Sequence, residues 1–236
     1  MHAIIVAGGD PPDRAALDAT WPGWDGGCGL VVAADRGALT ALGLHLRPDL
    51  VVGDVDSLGP ADARRVADAG IPMEIVRAAK DETDTELAIH AALDRGATRV
   101  TILGALGGPR LDHALANVAL LGMDALAGVP AEILDGRTRV RLLAADADPG
   151  AELALSGRIG DLVSLIPLGL AATGVTTSGL AWPLHDATLP AGPARGVSNV
   201  RTSPDARVAL RRGRLLVVEV ADERPHATPH HDGGPR

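Results

Sequence analysis

Short apolar runs alternate with longer amphipathic stretches through the first 136 residues of the chain. The apolar runs predict strands at residues 3–7, 30–34, 50–52, 73–76, 99–103 and 131–134. The stretches between them predict helices over residues 14–20 and 60–69, and helices that end near residues 42, 95 and 126. Repeated strand–helix alternation predicts a parallel sheet covered by helices on both faces.

The pattern changes after residue 136. Runs at residues 138–143, 152–155, 161–167, 175–177, 207–211 and 215–220 predict short strands, and Arg212-Gly213 predicts a hairpin turn. We therefore expect an α/β fold with two domains and a tail. These are an N-terminal parallel-sheet, three-layer domain at residues 1–136, a C-terminal antiparallel β-sandwich or barrel domain at residues 137–222, and a disordered tail at residues 223–236.

Composition narrows the class of protein. The chain has 236 residues, 46% of them apolar, which is ample for a core, and its net charge of −8 argues against a nucleic-acid partner. Cys28 is the single cysteine, which excludes an internal disulfide and is typical of a reducing compartment. No apolar run reaches 18 residues, so we expect a soluble, cytoplasmic protein with no membrane partner.

Candidate chemistry begins at the end of the third predicted strand, residues 50–56. Asp54 and Asp56 project to the same side if the chain stays extended, and two neighbouring carboxylates repel each other unless a cation or a proton intervenes. Mg²⁺ takes hard oxygen ligands, and ligands of open α/β sheets bind beyond the carboxyl ends of the strands. The alternative is that Asp54 and Ser57 cap the following helix. Both interpretations stay open on this stretch alone.

A second acidic segment, residues 79–86, opens the next helix. Thr83 and Glu86 fit a capping box, and further acidic residues complement the helix dipole. Lys80 has no such structural role, because an ammonium group beside a helix N-terminus is unfavourable unless an anion lies there. We therefore expect Lys80 to orient phosphate oxygens.

Glycines mark two further strand ends. Gly8 and Gly9 let the backbone approach a ligand, although they do not form a dinucleotide-binding fingerprint. The glycine-rich turn at residues 104–109 presents N–H groups and a helix N-terminus to an anion, and Arg110 can grip phosphate in bidentate fashion. A plain tight turn is the alternative. Asp35, at the end of the second strand, is either a ligand contact or a helix cap.

In order and spacing these motifs resemble the thiamine pyrophosphokinase (thiamine diphosphokinase) family. The resemblance spans about residues 3–220 and rests on residues 34–38, 53–57, 80–86, 110–113, 177–184 and 195–199. It implies a homodimeric enzyme whose α/β domain holds Mg·ATP and whose β-domain helps to bind thiamine. The implied reaction moves the β,γ-pyrophosphoryl group of ATP onto the thiamine hydroxyl and releases AMP.

The resemblance also implies roles for individual residues. The expected Mg²⁺ ligands are Asp54, Asp56 and Asp84, which with Asp112 and Arg110 form the expected catalytic set. The expected nucleotide-binding residues are Asp35, Ser57, Lys80, Asp81, Thr83, Gly107 and Gly108. Trp182 is expected to stack on thiamine in the partner subunit's site, with Ser198 and Asn199 at the same end.

One departure from the family pattern and several alternatives accompany this hypothesis. The family loop commonly runs Gly-Gly-Arg, whereas Pro109 here separates Gly108 from Arg110, which puts in question how the arginine reaches phosphate. The alternatives are a different acceptor such as a pterin alcohol, a metal-dependent nucleotide phosphohydrolase, and a non-catalytic sensor. Ordinary core packing is the alternative for Trp182.

Overall fold

The computed structural model describes residues 1–54, 58–75, 81–145 and 150–222. Its helices are α1 (Arg14–Thr20), α2 (Gly37–Gly43), α3 (Pro60–Asp68), α4 (Asp84–Asp94) and α5 (Leu111–Leu120). The strands of the first half are β1 (His2–Val6), β2 (Cys28–Ala34), β3 (Leu50–Gly53), β4 (Met73–Ile75), β5 (Arg99–Leu103) and β6 (Ala131–Leu134). Those of the second half are β7 (Thr138–Ala145), β8 (Ala151–Ala154), β9 (Leu162–Pro167), β10 (Ala172–Ser178), β11 (Ala187–Leu189), β12 (Asn199–Val200), β13 (Arg207–Leu210) and β14 (Gly213–Val220). No described helix has the length and apolar character needed to cross a membrane.

The first six strands are parallel, in the order β6-β5-β1-β2-β3-β4. The chain adds β2, β3 and β4 on one side of β1 and then returns to add β5 and β6 on the other side. The connections therefore reverse direction between β1 and β5. In open α/β sheets a crevice forms at such a switch point, beyond the carboxyl ends of the strands.

Helices cover both faces of this sheet, as predicted. Ile4 and Val6 of β1 pack with Leu17 of α1, whereas Ile5 packs with Ile89 of α4 on the opposite face. The two faces separate because successive side chains of a strand point to opposite sides. Both sides of β1 are consequently buried, and its backbone is a fixed reference for the loops that follow the strands.

The second half contains the predicted antiparallel β-structure. Four of its strands (β7, β14, β9 and β12) continue the first sheet, which thereby reaches ten strands, and the other four form a separate sheet in the order β11-β10-β13-β8. Val217 of the large sheet and Val208 of the small one are fully buried in a shared core. The fold class predicted from the sequence is therefore confirmed.

The hairpin prediction at Arg212-Gly213 is wrong. β13 pairs with β8 and β10, and β14 pairs with β7 and β9, so the two strands lie in different sheets. Leu210 and Leu215, on either side of the turn, are both fully buried in the core between the sheets. The turn thus carries the chain from one layer of the sandwich to the other.

A buried carboxylate links the sheet where its parallel and antiparallel parts meet. Glu132 of β6 accepts hydrogen bonds from Arg139 at 2.6 Å, Arg99 at 3.0 Å and the Thr101 hydroxyl at 3.1 Å. Burial alone would raise the pKa of Glu132, but the charges and hydrogen bonds of Arg139 and Arg99 outweigh it, so the pKa lies below its usual value. The ionised carboxylate therefore stabilises the junction.

We expect Glu132→Gln to lower the free energy of unfolding by about 3 kcal/mol at pH 7, because it leaves two arginines without their counter-charge. Since the folded-state pKa is depressed, this stabilisation is present above the ordinary carboxyl value of 4.5 and is lost as the pH falls through the folded-state value. Urea unfolding of wild type and variant at pH 7 and pH 3.5 measures the difference. Glu152→Gln, which breaks the exposed pair with Arg207, is the matched control and should cost under about 1 kcal/mol. A loss for Glu132→Gln that does not shrink in acid would contradict this assignment.

Candidate active site

A cleft of about 550 Å³ opens at the carboxyl ends of the parallel strands, at the switch point between β1 and β5. It is bounded by the loops after β1, β2 and β5 and by the N-terminal ends of α4 and α5. Its lining residues are Gly8, Gly9, Ala34, Asp35, Arg36, Glu82, Thr83, Asp84, Thr85, Gly107, Gly108, Pro109, Arg110, His113 and Asn117.

The floor of the cleft is a close contact between two backbone loops. The Gly9 N–H donates to the Gly104 carbonyl at 2.9 Å, and the Gly108 N–H donates to the Asp10 carboxylate at 2.8 Å. A Cβ atom at Gly9 would lie 2.5 Å from the Gly104 oxygen and 2.7 Å from the Gly107 oxygen, so only glycine fits. Gly8 and Gly9 were noticed in the sequence as a point of close approach but not predicted as site residues.

The N-terminus of α4 forms one wall. The Thr83 hydroxyl accepts from the Glu86 N–H at 3.2 Å, so the predicted helix cap is present. Thr83 and Asp84 nonetheless line the cleft, together with Glu82, which was not among the predicted site residues. A capping role and a position in the site are therefore compatible, because the capped end of the helix faces the cleft.

The ends of β2 and β3 lie side by side next to this wall. Asp35 follows β2 with φ of +52°, a left-handed conformation that Asp tolerates better than most residues, and its N–H donates to the Val52 carbonyl at 2.9 Å. Asp54 follows β3, and the N-cap position of α3 is occupied by Gly59 rather than by Asp54. Asp35 lines the cleft, and Asp54 lies at the adjoining strand end without being one of the residues that line it.

Three predicted site residues, Asp56, Ser57 and Lys80, fall outside the described residues. Of the three expected metal ligands, only Asp54 and Asp84 can therefore be placed. Within the described parts of the chain, no group of three or more His, Cys, Asp or Glu side chains is arranged to hold a metal ion. The predicted Mg²⁺ site stays a prediction.

Arg110 and Asp112 pair with each other at the start of α5. The Arg110 Nε donates to Asp112 at 2.9 Å and its Nη2 at 2.6 Å, in a bidentate arrangement between two exposed side chains. The hydrogen-bonded guanidinium lowers the pKa of Asp112 to about 2. While this pair is intact, Asp112 is a weak proton acceptor, and the donor edge that Arg110 would offer to phosphate is occupied. Arg36, a second cation of the cleft, was missed although its motif at residues 34–38 was recognised.

The three residues predicted to bind thiamine lie together, away from the cleft. The Asn199 carboxamide accepts from the Trp182 N–H at 3.1 Å and donates to the Trp182 carbonyl at 2.7 Å. Ser198 precedes Asn199 with φ of +62°, and its N–H donates to the Ser164 hydroxyl at 3.0 Å. Trp182 is 64% exposed, so the core-packing alternative for this residue is wrong.

Comparison with known proteins identifies the family. Residues 26–126 match the profile described as "Thiamin pyrophosphokinase, catalytic domain", and residues 152–215 match "Thiamin pyrophosphokinase, vitamin B1 binding domain". The chain belongs to the thiamine pyrophosphokinase family. The resemblance drawn from the sequence motifs is confirmed, and with it the prediction that the chain is an ATP-dependent pyrophosphokinase.

Relatives in the thiamine pyrophosphokinase family match over nearly the whole chain. The thiamine pyrophosphokinase of Bacillus subtilis is 27% identical over 218 residues, which cover 92% of this chain and 98% of that protein. The crystal structure of the Geobacillus thermodenitrificans enzyme is 28% identical, with a TM-score of 0.76 and coverage of 94% and 99%. The Candida albicans structure, at 15% identity, shares the fold with a TM-score of 0.73 and coverage of 94% and 89%.

We expect Gly9→Ala to lower the free energy of unfolding by about 1–3 kcal/mol, because the new methyl group must displace backbone oxygens on the loop after β5. Thermal and urea unfolding measure the loss. Gly43→Ala is the matched control: nothing lies within 4 Å of a Cβ atom there, and alanine in a helix should be neutral or stabilising by about 0.5–1 kcal/mol. Equal behaviour of the two variants would show that the loops do not depend on this contact.

Proposed function

We propose that this chain transfers the pyrophosphoryl group of ATP to the hydroxyl of thiamine, giving thiamine diphosphate and AMP. The observation that carries the proposal is the cleft at the switch point, where a glycine-only floor meets two helix N-termini and both acidic and basic side chains. Family membership supports the reaction, and the match of residues 152–215 to a vitamin B1 binding domain favours thiamine over a pterin alcohol.

The cleft is suited to a polyphosphate. The N-termini of α4 and α5 supply positive partial charge, which favours phosphate oxygens. Arg36 and Arg110 add full positive charges on the same lining. This set favours pyrophosphoryl transfer, in which positioning and charge neutralisation do most of the work.

The acidic residues fit a divalent cation better than they fit ATP alone. Asp35 and Asp84 line the cleft and Asp54 follows the adjoining strand, so their hard oxygen donors suit Mg²⁺, which usually shares its ligands with phosphates. We propose Asp54, Asp56 and Asp84 as the residues that hold it. When bound, the cation would neutralise charge that otherwise sets these carboxylates against the triphosphate.

Arg110 and Asp112 would change partners when the nucleotide binds. A phosphate group competes with Asp112 for the bidentate edge of Arg110, and the carboxylate is released as the arginine turns to the phosphate. Released from the guanidinium, Asp112 has a pKa closer to its ordinary value and is a better acceptor for the proton of the thiamine hydroxyl. Substrate binding would thereby activate the base.

A second copy of the chain would complete the site. Trp182 adjoins β12 through Asn199, and five strand spacings separate β12 from β5 in the ten-stranded sheet, about 24 Å across a flat sheet. One thiamine molecule cannot span that distance within a protomer. An exposed indole presented by the partner could stack on the cationic thiazolium, a contact worth about 0.5–2 kcal/mol. We therefore propose a homodimer whose active sites lie at the subunit interface.

We expect the purified protein to convert Mg·ATP and thiamine to AMP and thiamine diphosphate, with no AMP formed when thiamine is omitted and no turnover when EDTA removes the metal. Mass spectrometry of the products measures this. ADP, or AMP formed without thiamine, would instead indicate another transfer or a phosphohydrolase.

Variants of the proposed metal ligands test the metal assignment in the same assay. Asp54→Asn and Asp84→Asn should each reduce turnover by at least about a hundredfold without loss of fold, because each removes a proposed metal ligand. Asp62→Asn, which breaks only an exposed ion pair with Arg65 on α3, is the matched control and should retain activity. Full activity in both site variants would show that the metal assignment is wrong.

Mixing two defective variants tests the shared site. Trp182→Ala should raise the KM for thiamine and leave the KM for ATP nearly unchanged, whereas Asp84→Asn should be inactive. If each site uses Trp182 from one subunit and Asp84 from the other, re-associated mixtures contain one intact site in every heterodimer. Activity at low thiamine concentration should then recover to about a quarter of the wild-type value. No recovery after subunit exchange would place both residues in one protomer's site.

A further inference from the structure

Asn117 is a buried polar residue of the cleft to which the proposed reaction assigns no role. It lies in the second turn of α5 and is only 8% exposed. Its Nδ2 atom donates to the Ala105 carbonyl, 3.1 Å away, in the loop that follows β5. A carbonyl oxygen accepts hydrogen bonds and cannot donate them, so this contact fixes which end of the carboxamide faces the loop.

The other end of the same carboxamide is available to a ligand. With Nδ2 engaged by Ala105, Oδ1 is the polar side-chain atom left for a ligand, and Asn117 lines the cleft. Across the described ranges no protein donor reaches Oδ1, and this atom is not among the polar atoms sealed from solvent without a partner. A mostly buried side chain thus presents one hydrogen-bond acceptor, Asn117 Oδ1, to a ligand in the cleft.

We propose that Asn117 contacts the substrate by accepting a hydrogen bond from a neutral donor of the ATP nucleoside, either a ribose hydroxyl or the amine of the base. This inference rests on the proposed function. An amide oxygen repels the oxygens of an ionised triphosphate, which carries no donors of its own. The nucleoside is therefore the part of ATP that can satisfy Oδ1, and Asn117 selects for it.

The bond to Ala105 gives this contact a second effect. Ala105 follows Gly104, the residue whose carbonyl holds the Gly9 N–H, so the carboxamide is anchored to the floor of the cleft. A preorganised acceptor loses little entropy on binding. The nucleoside is consequently placed in fixed relation to the glycine loop that receives its phosphates.

The test compares ATP with three analogues, each lacking one donor: 2′-deoxy-ATP, 3′-deoxy-ATP and purine riboside triphosphate. Calorimetric binding in the presence of Mg²⁺ and absence of thiamine gives the affinities, and steady-state assays give kcat/KM. Wild type should bind one analogue about threefold to tenfold more weakly than ATP. In Asn117→Ala that ratio should fall to one, because ATP itself is bound as weakly as the analogue, while the ratios for the other two analogues persist.

Two results would overturn the proposal. One is a wild-type protein that binds all three analogues as tightly as ATP, which needs no variant to observe. The other is an Asn117→Ala protein, or an Asn117→Ser protein should the first not fold, that weakens ATP and every analogue by the same factor, as a purely structural role predicts. Thr101→Val is the matched control: it removes a fully buried hydroxyl of β5 that does not line the cleft, and it should preserve every ratio. The binding measurements contain no thiamine. A protein that made no thiamine diphosphate would therefore refute the proposed reaction, whereas the comparison of ATP with its analogues would still test the role of Asn117.

Discussion

The backbone contact between the loops after β1 and β5 is the constraint on which the site depends. Gly9 and Gly104 come within hydrogen-bond distance because neither loop carries a side chain at the point of contact. The contact forms the floor of the crevice that the reversal of strand order opens, and the N-terminus of α5 borders the same space. A side chain at Gly9 would separate the loops, and the cleft would then lose its floor.

The acidic and basic side chains of the cleft cannot all form ion pairs with one another and with a bound phosphate at the same time. The protein carries a net charge of −8, yet its cleft places Arg36 and Arg110 beside several carboxylates. Arg110 and Asp112 satisfy each other in the absence of substrate, which costs the site little because both are exposed. Exposed ion pairs are weak and exchange readily, so this pair can give way to a phosphate. A buried pair of the kind formed by Glu132 and Arg139 could not.

The strands whose bounds were predicted correctly are ones that the fold buries on both faces. The β5 and β6 strands, at residues 99–103 and 131–134, match their predicted bounds, because each is a mostly buried strand enclosed on both faces. The β11 and β12 strands, of three and two residues, were not predicted, since segments this short show no period and exist only through pairing with β10 and β9. The predicted helix to residue 126 ends at Leu120 and resumes as a single 3₁₀ turn, because Gly122 interrupts it. The hairpin at residue 212 failed for a related reason, because local turn residues do not specify which sheet receives the next strand.

The predicted site residues that line the cleft come from acidic or glycine-rich motifs, whereas Arg36, Glu82 and Asn117 line it without having been predicted. Thr83, Asp84, Gly107 and Arg110 carry recognisable local patterns, and they line the cleft. Asn117 sits among alanines and leucines of a helix, and its relation to Ala105 appears only when the chain folds back on itself. The expected substrate contact of Asn199 stays a prediction, and the fold adds a role that the sequence did not indicate, because its carboxamide holds both backbone groups of Trp182.

The exposure of the Trp182 side chain is not explained by packing within one protomer. An indole is among the largest apolar surfaces a protein can bury, and most of it here faces solvent. Its backbone is nonetheless held at both the N–H and the carbonyl by a nearly buried asparagine, so the side chain is presented from a rigid support and not from a loose loop. Rigid presentation of an aromatic group lowers the entropy lost when something packs against it. The cleft and the exposed indole therefore lie far apart along the strand order of the chain, and this separation is the reason for proposing that a second copy of the chain brings the two together.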